Sequence, residues 1–259
     1  MSYRQRRNLI LSLLSISDSI GVGELADLME CSLATARRDV ASLENEGLVE
    51  RYWGGARRRL TADASERGQD LQNLRPNVSH MAIGKYAASQ VRSGDLLFIG
   101  SGTTTLAMIP FLEHLDIRVV TNGIPQVEAL SRLGIDAILL GGSFKSFSRS
   151  IIGSNAVEML KRERFDRAFF GANGIGENYS ILSADKWEDE IKRQAINHAY
   201  NAYALVGAEK FGLSADYSID AVDAFGTELV TDRRPDASSS WLNDGKIWHA
   251  RILNLVVNE

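Results

Sequence analysis

Two stretches of this 259-residue chain collect groups that bind anions, each by a different route. In one, Gly100-Ser101-Gly102-Thr103-Thr104-Thr105 follows an apolar run and precedes a helical pattern. Free amides at a helix start, together with hydroxyls, make an anion site, and small residues let a phosphate reach the backbone. The same cluster could serve as a plain helix cap, so the loop alone leaves both readings open. In the other, residues 32–59 interleave Arg37-Arg38, Arg51 and Arg57-Arg58-Arg59 with small and hydroxyl side chains. Arg can donate a bidentate pair to guanine, and small neighbours allow close approach to base edges. Taken singly, any of these Arg pairs is a solvated charge run.

The elements that hold the Arg set follow from capping and periodicity. Ser32 suits a helix N-cap, since its hydroxyl accepts from free amides of the first turn. Leu33, Ala36, Val40 and Leu43 repeat at helical spacing and mark a buried stripe. Ala34, Thr35, Arg38, Ser42 and Asn45 fall opposite, with Arg37 on the flank. Gly47 ends the helix, residues 48–53 read as a strand and Gly54-Gly55 as a turn before Arg57. The pattern is a helix with a basic hairpin behind it, a winged helix-turn-helix. Its candidate nucleic-acid contacts are Ser32, Ala34, Thr35, Arg37, Arg38, Ser42, Arg51, Arg57 and Arg58. Upstream, Leu9, Ile10, Leu13 and Leu14 predict a helix over 3–15, with Arg4, Arg6 and Arg7 near a phosphate backbone. A short helix burying Leu25, Ala26, Leu28 and Met29 follows Gly21–Gly23.

The hydroxyl loop belongs to a different pattern. Apolar runs suited to buried strands fall at 96–100, 117–121, 136–140, 167–171, 202–207, 227–231 and 251–257. Helical patterns at 104–115, 125–133, 154–163 and 185–200 separate most of them. This alternation predicts an α/β body, a doubly wound and mostly parallel sheet covered on both faces. Ligands in such sheets bind at the carboxyl ends of strands. Thr121-Asn122-Gly123, Gly141-Gly142-Ser143 and Gly171-Ala172-Asn173-Gly174 occupy three further ends. Residues 60–78 are polar, lack a period and are broken by Pro76-Asn77. They read as a linker between a head, 1–59, and the body, 79–259.

Charge is uneven along the chain. The net formal charge is −4, yet residues 1–60 hold nine Arg, no Lys and eight acids. An acidic body with a small Arg-bearing head fits local recognition of nucleic acid, not coating of it. Cys31 is the one cysteine, so no intrachain disulfide forms, which fits a reducing cytoplasm. No run approaches the roughly 18 apolar residues of a membrane span. His80, His114, His198 and His249 lack metal-ligand spacing, and neither a dinucleotide nor a phosphate-loop fingerprint is complete. No metal or cofactor is expected.

The head resembles the N-terminal domain of the DeoR family of bacterial transcriptional regulators. The resemblance rests on Ser32, Thr35, Arg37-Arg38-Asp39, Leu43-Glu44, Gly47-Leu48, Arg51 and Gly54-Gly55-Ala56, with Trp53 where the family usually has His. The body is similar to that family's sensor domain, itself similar in fold to ribose-5-phosphate isomerase. Here the matching residues are Ser101-Gly102-Thr103-Thr104, Thr121-Asn122, Gly141-Gly142, Gly153, Gly171-Ala172, Glu188, Lys192-Arg193 and Lys210-Phe211-Gly212. The resemblance implies a repressor of a carbohydrate-metabolism operon. It would bind double-stranded operator DNA as a homo-oligomer, under control of a phosphorylated sugar. The implied effector site has Ser101, Gly102, Thr103, Thr104 and Thr105 around the phosphate, with Asn122, Gly141, Gly142, Glu188, Lys192 and Lys210 beside it. Gly100 and Gly207-Ala208-Glu209 replace positions where the family usually carries Asp and Ser, so the pocket is expected either to accept a different set of hydroxyls or to bind no sugar phosphate.

The rival class is a sugar-phosphate isomerase carrying a DNA-binding head. Isomerisation needs a carboxylate base at the carbon-bound proton. The relatives' acidic loop after the fourth strand reads Gly171-Ala172-Asn173-Gly174-Ile175 here, with no carboxylate until Glu177. That composition favours a binding pocket.

Overall fold

The computed structural model describes residues 1–17, 19–52, 54–58, 76–176, 180–219, 227–232 and 253–254. Most of the expected linker, together with Trp53, Arg59 and Glu177, lies outside the described residues.

The head opens with α1 (Tyr3–Ile16), whose start is fixed by reciprocal hydrogen bonds between Ser2 and Gln5. Then come β1 (Ser19–Gly21), α2 (Val22–Leu28), α3 (Leu33–Asn45), β2 (Val49–Tyr52) and β3 (Gly55–Arg58). The three strands form an antiparallel sheet in the order β1-β3-β2, with Ile20 opposite Ala56. Leu9, Ile10 and Leu13 of α1, Leu25 of α2, Val40 and Leu43 of α3 and Val49 of the wing form one core. One residue of α3 departs from the helical wheel. Leu33, expected in the buried stripe, is 51% exposed and borders an open groove with Val22, Arg37 and Tyr52. Asp39 is buried instead, because Arg6 reaches it from α1.

The body begins with α4 (Val78–Ser89), capped by Asn77, which accepts from His80 N at 2.9 Å. It continues through β4 (Leu96–Ile99), α5 (Thr103–Met108), β5 (Arg118–Thr121), α6 (Ile124–Arg132) and β6 (Ala137–Leu139). The hairpin β7 (Ser143–Lys145) and β8 (Ser150–Ile152) precedes α7 (Ser154–Leu160), β9 (Phe165–Gly171), β10 (Gly174–Ile175) and β11 (Ile181–Ser183). Last come α8 (Lys186–Asn197), β12 (Ala199–Leu205), β13 (Tyr217–Ile219), β14 (Thr227–Thr231) and β15 (Leu253–Asn254). Seven strands form one sheet in the order β15-β14-β12-β9-β4-β5-β6, and every pairing in it is parallel. All seven correspond to apolar runs of the sequence.

Both faces of this sheet are covered. Leu97, Ile99 and Val119 pack under α4, α5 and α6 with Ile83, Leu106 and Leu130. Phe98, Val120 and Ala168 face α7 and α8 with Val157 and Ile191. The helix expected over 104–115 is shorter: α5 stops at Met108 and a 3₁₀ turn, Ile109–Leu112, follows. Pro110 lacks the amide that would continue the α ladder. The hairpin β7–β8 and the small sheet β10-β11-β13 have strands of two or three residues, too short to show a period.

Head and body share a core. Met81 of α4 and Ala107 of α5 are buried among the head's apolar side chains, and Ile16 of α1 among the body's. Asn8 Nδ2 donates to Glu113 Oε1 at 2.8 Å, and Lys85 Nζ pairs with Glu30 at 2.7 Å across the same seam.

Candidate DNA interface and effector cavity

The exposed side of α3 presents Ala34, Arg37 and Arg38, and Arg38 Nε donates to the Ala34 carbonyl of its own helix at 3.3 Å. Ser32 caps the helix, accepting from Thr35 N at 3.1 Å, while its hydroxyl lies 2.9 Å from Thr35 Oγ1. Arg51 on β2 pairs with Glu44 at 3.4 Å, and Arg57 on β3 pairs with Glu50; all four side chains are exposed. Solvated pairs of this kind contribute little and exchange readily for a phosphate. Arg58 lies on β3 opposite Val49. Ser42 is different. Its hydroxyl lies 2.8 Å from Tyr3 Oη and also reaches Glu46, so it ties α3 to α1.

Arg6 corrects the reading of the first helix. It faces inward and donates through Nε at 2.6 Å and Nη2 at 3.2 Å to the two oxygens of Asp39. Arg7 pairs with Glu46 at 3.0 Å. These contacts hang α3 from α1 and leave Ala34, Arg37 and Arg38 facing outward.

The second site is a cavity of about 200 Å³ at the carboxyl ends of β4 and β9. The strand order reverses between these two strands, and such a switch point opens a crevice above the sheet. Ser101, Gly102, Thr103 and Thr104 form one wall, and Asn122 closes the end of β5. Gly102 has φ +136°, a conformation that L side chains rarely adopt. Ser101 N donates to Asn122 Oδ1 at 2.8 Å, and Gln126 Nε2 donates to the Gly102 carbonyl at 2.8 Å. The loop is therefore held in shape by neighbouring elements.

Opposite stand Glu188 and Lys192 of α8, with Lys210 from a 3₁₀ turn, Ala208–Lys210. Lys192 Nζ donates to Ser183 Oγ at 2.9 Å, and Lys210 Nζ to the Ala172 carbonyl at 2.9 Å. Burial lowers both ammonium pKa values, that of Lys192 to about 8 against the pull of Glu188 and Asp189, and that of Lys210 against the pull of Glu209. Glu188 accepts from Lys145 Nζ at 3.0 Å, an ammonium it shares with Asp185 at 3.1 Å, and from Ser148 Oγ at 3.0 Å. Two ammonium groups without an ion-pair partner among the described residues thus face a loop of amides and hydroxyls. This arrangement attracts an anion.

Not every expected residue reaches the cavity. Thr105 is fully buried and donates to the carbonyls of Gly100 and Gly102 at 2.6 and 3.0 Å, bracing the loop from behind. Gly141 and Gly142 stand outside the wall: Gly141 N donates to Met159 Sδ, and Gly142 enters the β7–β8 hairpin. Ser148, Asn173, Phe98, Phe170 and Ile191 do line it. Of these, Ser148 carries no period or motif in the sequence, whereas Asn173 belongs to the strand-end loop 171–174, Phe98 and Phe170 to apolar strand runs and Ile191 to the helical pattern at 185–200. Among the described residues no cluster of His, Cys, Asp and Glu could hold a metal, and no helix is long and apolar enough to cross a membrane.

Residues 6–61 match the DeoR-like helix-turn-helix domain, and residues 78–233 match the DeoR C terminal sensor domain. The chain belongs to the DeoR family. Among its relatives, an uncharacterized HTH-type transcriptional regulator FruR of Bacillus subtilis (strain 168) is 36% identical over 88% of this chain and 90% of its own length. A lactose phosphotransferase system repressor of Lactococcus lactis subsp. lactis is 34% identical over 82% of this chain and 84% of its own. The HTH-type transcriptional repressor GlcR of B. subtilis is 30% identical over 91% of each. A ribose 5-phosphate isomerase A structure from Methanocaldococcus jannaschii aligns with a TM-score of 0.39 at 16% identity, over 51% of this chain and 53% of that one. The DeoR-type head makes this protein a DNA-binding transcriptional regulator, and the relatives named here are regulators and repressors.

Proposed function

We propose that this DeoR-family regulator represses a carbohydrate-metabolism operon and that a phosphorylated sugar in the β4–β9 cavity sets its operator affinity. The observation that carries this reading is the facing of Lys192 and Lys210 against residues 101–104 at the sheet's switch point. The phosphate would sit on the amides and hydroxyls of Ser101, Gly102, Thr103 and Thr104, with the ammonium groups as counter-charges. The Asn122 amide would donate to or accept from the sugar hydroxyls, and the Glu188 carboxylate would accept from them. The relatives that carry sugar-transport names support the same class of effector.

On the DNA side, Ala34, Arg37 and Arg38 enter the major groove while Arg51, Arg57 and Arg58 follow the backbone. One small head reads few base pairs, so paired heads of a homo-oligomer would read half-sites roughly 34 Å apart, or a multiple of that. Catalysis finds less support. Glu188, the carboxylate in the wall, is held by Lys145 and Ser148 instead of standing free as a base.

The test is thermal unfolding of the protein against pentose and hexose monophosphates. A ligand at 100 times its Kd adds roughly 2.7 kcal/mol, which moves the midpoint by several degrees. A hit whose shift disappears in Thr103→Val and in Lys210→Met supports the site. No shift across the panel, or a shift that both variants keep, would remove it.

A further inference from the structure

The cavity and the head are joined by one short stretch of chain. Thr103 and Thr104 of α5 line the cavity, while Ala107 of the same helix is buried in the head's core. Phe111, in the 3₁₀ turn that continues α5, packs on that core as well. At about 1.5 Å per residue, Thr103 to Phe111 spans only roughly 12 Å. A displacement of the cavity wall therefore reaches the head without crossing the sheet.

The neighbouring helix makes this connection stiff. α4 crosses α5 at Gly84, and a Cβ there would lie 2.6 Å from Ala107 C and Met108 N. Backbone meets backbone at the crossing, with no side chain between to absorb motion. α4 in turn touches the head, among other contacts, through Met81 in the shared core and through Lys85, paired with Glu30 at 2.7 Å. Asn8 of α1, the helix that holds α3 through Arg6 and Asp39, completes the seam by donating to Glu113.

We infer that α4 and α5, locked together at Gly84, form a rigid relay through which an anion in the cavity alters the seating of the head on the body. The inference rests on the cavity reading above. Drawing residues 101–104 onto an anion moves the start of α5. Ala107 and Met108 then carry α4 with them, and the joint core with Leu9, Leu13 and Leu25 repacks. The ligand changes operator affinity by the difference in its affinity for the two seatings. By linkage, operator DNA changes ligand affinity by the same factor.

The experiment measures operator affinity of the full-length protein by fluorescence anisotropy, with and without saturating ligand. The probes are ribose 5-phosphate, glucose 6-phosphate and fructose 6-phosphate, and calorimetry on the same samples gives ligand affinity. In the wild type the operator affinities should differ by about fivefold or more. Gly84→Ala forces the crossing apart, and the pair Asn8→Ala with Lys85→Ala loosens the seam at its polar edge without touching the core. Each should leave ligand affinity within about threefold of wild type and bring the operator ratio to within about twofold of one. Tyr200→Ser, on a remote and highly exposed side chain, should keep the full ratio.

A folded variant of either kind that retains the wild-type ratio overturns the relay. If Gly84→Ala does not fold, the double variant decides alone. Ligand binding that leaves wild-type operator affinity unchanged overturns the relay while the cavity reading stands. Absence of binding by all three probes overturns both.

Discussion

Lys192 concentrates the cost and the use of the cavity in one group. Its folded pKa of about 8 lies below the ordinary lysine value, because burial penalises the ammonium form. The sign follows from proton counting: between about pH 8 and 10.5 the unfolded chain binds the extra proton, so this group makes stability rise with pH across that window. Lys192→Met should lose that slope and raise the thermal midpoint at pH 7 by about 2–4 °C, while abolishing any ligand-induced shift. A variant less stable than wild type would mean that the ammonium is better satisfied than its bond to Ser183 implies. For the same reason, affinity for a phosphate dianion should fall by up to about tenfold per unit as pH rises above 8. A flat profile from pH 7 to 10 would remove Lys192 from the site. On the head, Arg38→Ala should cost about 1–3 kcal/mol of discrimination between operator and random DNA. Equal weakening on both would demote Arg38 to a phosphate contact.

At the scale of the element, α3 is oriented by α1 more than by its own cap. Arg6→Ala leaves the buried Asp39 without its partner, and loss of this part-buried pair should cost roughly 1–3 kcal/mol. Urea unfolding should show this loss, with operator and random DNA binding weakened together because the whole helix tilts. Arg6→Met combined with Asp39→Leu should recover most of the stability; failure to do so would show that the pair also supports something beyond itself. The pair illustrates where sequence reading stopped. Arg6 sits in a basic cluster and was expected at a phosphate, and only folding across 33 positions brings it to Asp39. The large sheet, by contrast, was legible, because parallel strands buried on both faces are written as continuous apolar runs. Ser32, Gly47 and Gly54-Gly55 likewise mark the ends of their elements by local chemistry. The cavity was half legible. Residues 101–104, Asn122, Glu188, Lys192 and Lys210 converge on it, whereas Ser148 arrives on a hairpin placed by tertiary packing alone. Thr105 was misread as facing the ligand because a hydroxyl run does not reveal which member turns toward the core.

On the scale of the whole molecule, head and body are one packing unit. Met81 and Ala107 lie in the head's core and Ile16 in the body's, so neither part can unfold without stripping apolar surface from the other. Calorimetry should therefore show a single endotherm whose calorimetric and van't Hoff enthalpies agree. Two resolved transitions would mean that the seam contributes little. The crossing at Gly84 carries a consequence for anyone building hybrid regulators. Grafting a foreign helix-turn-helix onto this sensor at residue 76 would pair Met81, Ala107 and Phe111 with a surface they were not shaped for. Such hybrids should be sluggish or constitutive unless the donor's own first helix and the body's α4 and α5 travel as a matched set. The natural unit of exchange in this chain is the reader together with its seat.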